Sequence, residues 1–575
     1  MSEAIIENKK RSVVLAVGAA VLLIGAGVAA YWAIANRRFA PEVPLAGDLL
    51  PKNALMAISF STDIEEWEKL RSFGTKESQA LFDKKLAGLR DRLLAANGYD
   101  YERDIEPWVG SEVTMAFLPP DNIERALDGI DSADPGAGGL QNPDKSSVVM
   151  VLPIDKPPLA QEAWAKSRRA DKAKWVDSTY KGIDIKQMQN ADSQANYAFT
   201  LLGERFLAIA NSTEAIERTI DTYLGEPSLV AVKGYEEAWQ QLDSGRSFAR
   251  LYINIPVAAA VVASNREGIS TTALIESQQH QGFATAIALE PEGIRFRGRA
   301  WLRGDRQSSQ SAEENKVATM PKRLPAETLI VMSGANLQKL WEDYAEVALS
   351  SPIAPLKPEW LRTAIQTTTK LDLEKDLLSW MAGEFSLALI PASSEGESKY
   401  GFGLTAIMEA SDRRAGEETL EKLDGIMKSQ YKYKVEEGKV GDLPVTNWIA
   451  DNGVLILTHG WLEGNIFFFT LGAPVASSIA PGPKAPLAKS QGFATTASKE
   501  LDSQNGSFFL DVERAINQNL LPGLRLPPEQ KTMVNGINAI GVTAAASDER
   551  STSYEIFVWL KNAGQPQELP PPEGS

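Results

Sequence analysis

Residues 100–119 read DYERDIEPWVGSEVTMAFLP, and residues 372–391 read DLEKDLLSWMAGEFSLALIP. Seven of the twenty aligned positions are identical, and most of the others exchange one residue for another of the same type. An internal match of this length predicts a duplicated chain, and therefore two similar domains. The identical pairs are Asp100/Asp372, Glu102/Glu374, Asp104/Asp376, Trp108/Trp380, Glu112/Glu384, Ala116/Ala388 and Pro119/Pro391.

The match continues on both sides of this segment, from Leu50-Pro51 against Leu324-Pro325 to Trp301-Leu302 against Trp559-Leu560. We therefore predict two tandem domains, copy one at residues 48–303 and copy two at residues 320–562. Each is near the upper size for a single hydrophobic core. The polar stretch GDRQSSQSAEENK predicts a linker over residues 304–319, and the proline-rich end predicts a disordered tail over residues 563–575.

An uncharged apolar segment precedes the first copy at residues 13–35. A helix of that length reaches roughly 34 Å, which is enough to cross a hydrocarbon core of about 30 Å. The segment predicts a transmembrane helix between a cytoplasmic N-terminus (residues 1–12) and a short spacer (residues 36–47). A cleaved signal peptide is the alternative, although its apolar region is usually shorter.

The basic residues near this helix set the expected orientation. Three precede it and two follow it, which favours export of the bulk of the chain. The net charge of −16 argues against nucleic-acid binding, because an acidic surface repels polyphosphate. The absence of cysteine excludes disulfides, thiolate nucleophiles and cysteine metal sites.

The order of predicted elements indicates the fold class. Apolar runs such as 112–118 and 147–153 predict strands, and the paired runs 284–289 and 294–302, joined by Glu292-Gly293, predict a hairpin. Neighbouring strand pairs of this kind favour antiparallel sheet. We therefore predict an α+β fold with mainly antiparallel sheets in both copies.

The acidic residues of the repeat are the first candidates for chemistry. The Asp-x-Glu-x-Asp turn can be imagined as a cation site, but an acidic helix start with Asp100 and Asp372 as N-caps explains it more simply. Glu112 and Glu384 each follow a tryptophan by four residues. A carboxyl group beside an indole can have a raised pKa, which is the property that a general acid needs. A packing role for both tryptophans is the favoured interpretation.

The remaining candidates are weaker. His280 and His459 are the only histidines, and we interpret both as surface or loop residues without a metal site or triad. Asp128, Asp131 and Asp134 lie in a glycine-rich insertion whose spacing is not that of an EF-hand. Gly401-x-Gly403 lacks the rest of a nucleotide-binding motif. We therefore predict no catalytic, cofactor-binding or metal-binding residues, and no cofactor.

Two short motifs carry a resemblance. The strand entry Leu-Pro-Ala-Glu-Thr-Leu at residues 324–329 and the turn with Trp380, Gly383 and Glu384, together with one N-terminal span and a duplicated domain, resemble a bacterial family. That largely cyanobacterial family comprises membrane-anchored proteins with a domain of unknown function. The resemblance implies a plasma or thylakoid membrane location, with most of the chain in the periplasm or lumen.

Three functions remain open from the sequence. The favoured one is a non-catalytic, single-pass anchored scaffold or binding module for a partner protein of the envelope or thylakoid, or for a small ligand. The second is a lipid or hydrophobic-ligand carrier with a cleft between the repeats. The third is a carboxylate-based hydrolase, which needs two acids in one cleft. A non-enzymatic role is favoured over an enzyme, and the sequence leaves the oligomeric state open.

Overall fold

The structure is a computed structural model, and the described residues fall into compact units. It describes residues 44, 46–93, 101–120, 147–167, 173–190, 196–242, 247–264, 279–304, 318–350, 356–392, 401–498, 500–501, 504–517 and 526–570. The first unit comprises Met1–Pro291, Phe296–Arg306 and Asn562–Ser575, and the second comprises Glu292–Arg295 and Gln307–Lys561.

Among the described residues, ten strands belong to the first unit, apart from the start of the tenth, which is grouped with the second unit. They are β1 (Met56–Ser61), β2 (Glu112–Leu118), β3 (Ser147–Pro153), β4 (Ala173–Tyr180), β5 (Ile183–Asn190), β6 (Asn196–Leu202), β7 (Phe206–Ala210), β8 (Ala249–Asn254), β9 (His280–Glu290) and β10 (Gly293–Leu302). Its helices are α1 (Ile64–Ser72), α2 (Lys76–Leu93), α3 (Tyr101–Asp104), α4 (Pro157–Ser167), α5 (Thr213–Tyr223), α6 (Tyr235–Leu242) and α7 (Ile255–Ser264), with a 3₁₀ turn at Leu229–Ala231.

Ten further strands of the described residues belong to the second unit. They are β11 (Ile330–Gly334), β12 (Phe385–Pro391), β13 (Phe402–Glu409), β14 (Lys434–Val440), β15 (Leu443–Ile449), β16 (Leu455–Trp461), β17 (Ile466–Gly472), β18 (Gly506–Asp511), β19 (Ile537–Asp548) and β20 (Ser551–Leu560). Its helices are α8 (Leu337–Ser350), α9 (Pro358–Thr369), α10 (Arg413–Ser429), α11 (Gln491–Thr496) and α12 (Pro528–Val534). Short 3₁₀ or π turns lie at Met320–Arg323, Leu373–Leu377, Leu378–Trp380, Ala476–Ser478, Leu487–Lys489 and Glu513–Asn517.

The strands pair in the same order in the two units. In the first unit the order is β9-β8-β1-β2-β3-β7-β6-β5-β4, with β10 beside β9. In the second unit it is β19-β18-β11-β12-β13-β17-β16-β15-β14, with β20 beside β19. All of these registered pairings are antiparallel, so the predicted α+β class with antiparallel sheets is confirmed.

The sequence accounts for several element ends. Ser212 precedes α5, and its hydroxyl accepts a hydrogen bond from the amide of Ala215, which caps this helix start. Asp372 accepts hydrogen bonds from the amides of Glu374 and Lys375, which confirms its predicted role as an N-cap. Its counterpart Asp100 lies outside the described residues.

Each unit buries its main core on one face of its sheet. In the first unit the core includes Ala116, Val149 and Ala208, together with Ile216 of α5 and Trp239 of α6. In the second unit the corresponding face is covered by short 3₁₀ turns and α11, and its core includes Ala388, Ile407, Ile390, Phe468 and Phe509. Since alternate strand residues point to opposite faces, the positions between these residues form the second face of each sheet.

Two predictions concern the chain ends. The predicted transmembrane helix at residues 13–35 lies outside the described residues, and within the described residues no helix is long and apolar enough to cross a membrane. The sequence predicts a disordered tail from Ala563, whereas residues 562–570 of the structure make specific hydrogen bonds in the first unit. Backbone carbonyls make most of these bonds, and their partners are distant in sequence.

Candidate functional site

The second face of the second unit carries a cross-strand row of aliphatic side chains. Neighbouring strands lie about 4.8 Å apart, so a row across seven strands is roughly 29 Å long. None of its members is buried, and Leu404 and Leu471 are 39% and 40% exposed. In strand order, the row consists of Ile540, Leu510, Ile330, Leu389, Leu404, Leu471 and Leu457.

A second row runs beside the first and consists of Val542, Phe508, Met332 and Leu387. Met332 and Phe508 are 38% and 36% exposed. In the first unit, the positions with the same pairing are Ile58 and Leu251, which are only 1% and 3% exposed. We call the two rows of the second unit the open face.

The same side of the sheet is covered by a helix where the strands carry Phe467 and its neighbours. Trp380 and Phe467 pack edge to face with ring centroids 5.5 Å apart, and α10 lies over them. A Cβ atom at Gly416 of α10 would lie 3.0 Å from the Trp380 ring, so the glycine permits the close approach of this helix. Helical cover therefore accounts for the burial at the Phe467 end, while the Leu404 end stays exposed.

His459 lies between the covered aromatic side chains. It is a buried residue of β16, and its Nε2 atom lies 3.0 Å from Oδ1 of Asp424 on α10. The same oxygen accepts a 2.6 Å hydrogen bond from the indole of Trp448. The prediction of a surface or loop position is wrong for His459, because a strand and a helix enclose it.

His280 differs from the prediction as well, because it is the first residue of β9 and is partly buried. Burial lowers the pKa of this imidazole, since a charged ring loses solvation there. Within the described part of the chain, no group of three or more His, Asp or Glu side chains is placed to hold a metal ion.

Glu112 and Glu384 have different partners in the two units. The carboxylate of Glu112 accepts a 2.7 Å hydrogen bond from Nη1 of Arg250, and both side chains are buried. Glu384 accepts hydrogen bonds from the amides of Thr319 and Met320, at 2.6 and 2.8 Å. Both carboxylates are therefore engaged in structural contacts.

The tryptophans of the repeat make matching contacts. The indole of Trp108 donates to the carbonyl of Asp104 at 2.6 Å, and the indole of Trp380 donates to the carbonyl of Asp376 at 3.2 Å. Both side chains are buried. These contacts support the packing interpretation, because each buried indole is hydrogen-bonded to the backbone carbonyl of the residue four positions earlier.

Glu374 of the acidic turn contacts two neighbours. Its Oε1 atom accepts hydrogen bonds from the indole of Trp341 at 2.9 Å and from Nε of Arg362 at 2.6 Å. Burial alone would raise the pKa of Glu374, but these two hydrogen bonds and the positive charge of Arg362 lower it overall. The carboxylate therefore joins α8 to α9.

The last two candidates lie away from these contacts. Asp128, Asp131 and Asp134 are outside the described residues. Gly403 belongs to β13, and a Cβ atom there would lie 2.6 Å from Val475. This glycine therefore permits close packing within the second unit.

A cleft of about 230 Å³ lies beside α11 in the second unit, and its lining includes Phe508 and Val542. Gly541 lets α11 approach β19, because a Cβ atom there would lie 2.4 Å from the carbonyl oxygen of Thr496. The lining mixes aromatic rings with hydroxyl groups and includes Pro321, Lys322, Phe493, Thr496, Ser507 and Thr543. This arrangement offers polar contacts to a small molecule but includes no carboxylate.

The open face is not evident from the amino-acid sequence alone. Its signal was present in Phe385–Pro391, where Leu387 and Leu389 alternate with Ala388 and Ile390. A strand that is apolar on both faces is usually buried on both. The pattern therefore shows that both faces of the strand are apolar, but it does not show which face is left exposed by the neighbouring elements.

Residues 15–560 match the profile of the family DUF3352, described as "Protein of unknown function (DUF3352)". The chain belongs to the DUF3352 family. This match confirms the predicted relation to a family with a domain of unknown function, and the matched region covers most of both units of this DUF3352 protein.

Other comparisons add little to this assignment. No curated protein matches the chain. Among solved structures, crystal form IV of TP0453 is 10% identical over 44% of this chain and 79% of that chain, with a TM-score of 0.24. Crystal form III is 10% identical over 46% and 82%, with a TM-score of 0.23. These likenesses carry no argument about the DUF3352 protein.

Proposed function

We propose that this protein is a non-catalytic, single-pass membrane-anchored, extracytoplasmic binding protein that docks a partner protein on the open face. The observation that carries the proposal is the pair of exposed apolar rows on the second unit's sheet. Monomeric soluble proteins rarely leave large contiguous apolar patches in water, and such patches commonly mark interaction sites.

The dimensions of the open face favour a protein over a small ligand. Small-ligand sites are concave and enclose most of the ligand, usually in roughly 300–1,000 Å³. The cleft of about 230 Å³ in the second unit falls below that range. A row roughly 29 Å long suits the extended surface of a macromolecule instead.

The two alternatives from the sequence have less support. A hydrophobic-ligand carrier with a cleft between the repeats stays a prediction. A carboxylate hydrolase needs acids available for proton transfer, whereas the four buried carboxylates among the described residues have hydrogen-bond partners. The pairs are Asp83 with Arg71, Glu112 with Arg250, Glu384 with the Thr319 amide, and Glu555 with the Ser498 hydroxyl.

The anchor, the location and the duplication are further parts of the proposal. The uncharged segment 13–35 supports a membrane anchor, and the basic residues that flank it support an extracytoplasmic location. The sequence repeat and the common strand order support an origin of the two units from one ancestral domain.

The test is purification of the full chain from gently solubilised membranes of the native host. The open face is altered by Leu404→Lys together with Leu471→Lys, two exposed positions where lysine costs little in folding. We expect a stoichiometric partner with the unaltered chain and its loss with the double variant.

The matched control is Leu224→Lys, which makes the same chemical change at an exposed position of the first unit. This control retains the partner if the open face is the docking surface. Recovery of the unaltered chain alone, or retention of the partner by the double variant, would contradict the proposal. Circular dichroism establishes that the variants are folded.

A further inference from the structure

The C-terminal segment at residues 562–570 contacts the first unit with a three-residue period. Ala563, Pro566 and Leu569 are partly buried, while the intervening residues are exposed. A polyproline II helix has three residues per turn, so every third side chain lies on one side. Gly564 has a positive φ of 84°, so the chain turns there, and the extended, proline-containing part of the segment follows this turn.

The backbone carbonyls of the segment follow the same period. The carbonyl of Gly564 accepts a 3.1 Å hydrogen bond from Nε2 of Gln79, and that of Gln567 accepts a 2.5 Å hydrogen bond from Nη2 of Arg71. The carbonyl of Pro570 accepts a hydrogen bond from Nη2 of Arg90. Three donors from α1 and α2 thus contact carbonyls at intervals of three residues.

The segment is joined to the unit by its backbone as well. The amide of Ala563 donates a 2.8 Å hydrogen bond to the carbonyl of Ser72, at the end of α1. Asn562 forms an antiparallel bridge with Phe73, the residue that follows this helix. These contacts fix the start of the segment and therefore the phase of the threefold pattern.

The donor side chains are held in position by contacts that do not involve the segment. Nε of Arg71 donates to Asp83 at 2.8 Å, and Gln79 donates to the carbonyl of Arg71 at 2.8 Å. Nε of Arg90 donates to Asp91 at 2.7 Å. Arg71 and Gln79 therefore each make a contact within α1 and α2 in addition to the contact with the segment.

We propose that α1 and α2 form a recognition site for an extended, proline-containing peptide with a small or apolar residue at every third position. The occupant is this chain's own segment 562–570. Recognition through backbone carbonyls accepts different sequences, and the threefold side-chain pattern supplies the selectivity. A peptide with this pattern, supplied separately, binds the site once the resident segment is displaced.

The test uses the full chain with Pro566→Glu and Leu569→Glu, which place charges at two inward positions of the segment. The probe is a fluorescent synthetic peptide with the sequence of residues 561–570, and its binding is followed by fluorescence anisotropy. We expect this double variant to bind the peptide at least ten times more tightly than the unaltered chain, whose site is occupied.

The matched control is Gln565→Glu together with Gln567→Glu, which adds the same charge at two exposed positions of the segment. The control leaves the segment in place, so its peptide binding stays as weak as that of the unaltered chain. Equal binding by the two double variants, or no binding by either, overturns the proposal.

Hydrogen exchange on the unaltered chain gives a second measurement that needs no variant. The amide of Ala563 donates to Ser72 and is expected to exchange slowly. Exchange of this amide at the rate of an unstructured peptide overturns the assignment of the segment to the site.

Discussion

Arg250 on β8 and Glu112 on β2 form a buried ion pair across β1, the strand that lies between them in the sheet. In the second unit, Ser507 has the ladder position of Arg250, because it pairs with Ser333 as Arg250 pairs with Ser59. Glu384 binds backbone amides instead of an arginine. Both units therefore have a buried glutamate at this position, but its hydrogen-bond partners differ.

This difference predicts unequal effects of one substitution. Glu112→Gln removes the negative charge of a buried ion pair while the Arg250 charge stays buried, which costs about 3–5 kcal/mol in the free energy of unfolding. Glu384→Gln weakens charge-assisted hydrogen bonds to amides and costs about 1.5–3 kcal/mol. Urea-induced unfolding of the two variants measures both costs.

A double variant supplies the control for the ion pair. Removal of both charges by Glu112→Gln and Arg250→Met leaves no unpaired charge, so the loss of stability is smaller than the sum of the two single losses. Additive losses would show that the two side chains do not interact.

Lysine substitutions compare the open face with its covered counterpart. Met332→Lys changes the free energy of unfolding by roughly 0.5 kcal/mol or less, because the side chain already contacts water. Ile58→Lys buries a charge at the matched position of the first unit and costs about 3 kcal/mol or more. Thermal unfolding of both variants distinguishes the two environments. Equal losses of stability would contradict the conclusion that Met332 is exposed and Ile58 is buried.

The lowered pKa of Glu374 predicts a dependence of stability on pH. The folded state favours the charged carboxylate, so its contribution is fully present above the ordinary pKa of 4.5 and is lost as the pH falls through the lowered value. The contribution is roughly 0.2–1 kcal/mol, since solvent screens this partly exposed pair.

Melting temperatures at pH 7 and pH 3 check this prediction. The unaltered chain loses more stability between the two values than Glu374→Gln, which carries no titrating carboxylate at this position. Arg362→Gln supplies a control, because it removes the cation and reduces the same pH dependence. Identical losses in the unaltered chain and Glu374→Gln would contradict the assignment.

The sequence was informative where local chemistry determines structure. The aspartate at residue 372 marked a helix start, and the apolar run Glu112–Leu118 marked a strand. These features depend on neighbours within a few residues, so they can be deduced without the tertiary fold. The antiparallel class followed from adjacent strand signals.

Features that depend on distant contacts were not deduced. His459 is enclosed by α10, and the distance to Asp424 arises only from packing of that helix on β16. The exposure of Leu404 and Leu471 depends on which elements cover the sheet, whereas their sequence context is that of any apolar strand. Only tertiary structure separates a buried face from an open one.

Site-specific photo-crosslinking in native membranes tests the central claim most directly. A photoreactive amino acid is placed at residue 404 on the open face or, as a control, at residue 224 in the first unit, both of which are exposed. The account predicts a discrete adduct with one partner protein from residue 404 and none from residue 224. The absence of an adduct at residue 404, or the same adduct from both positions, would contradict it.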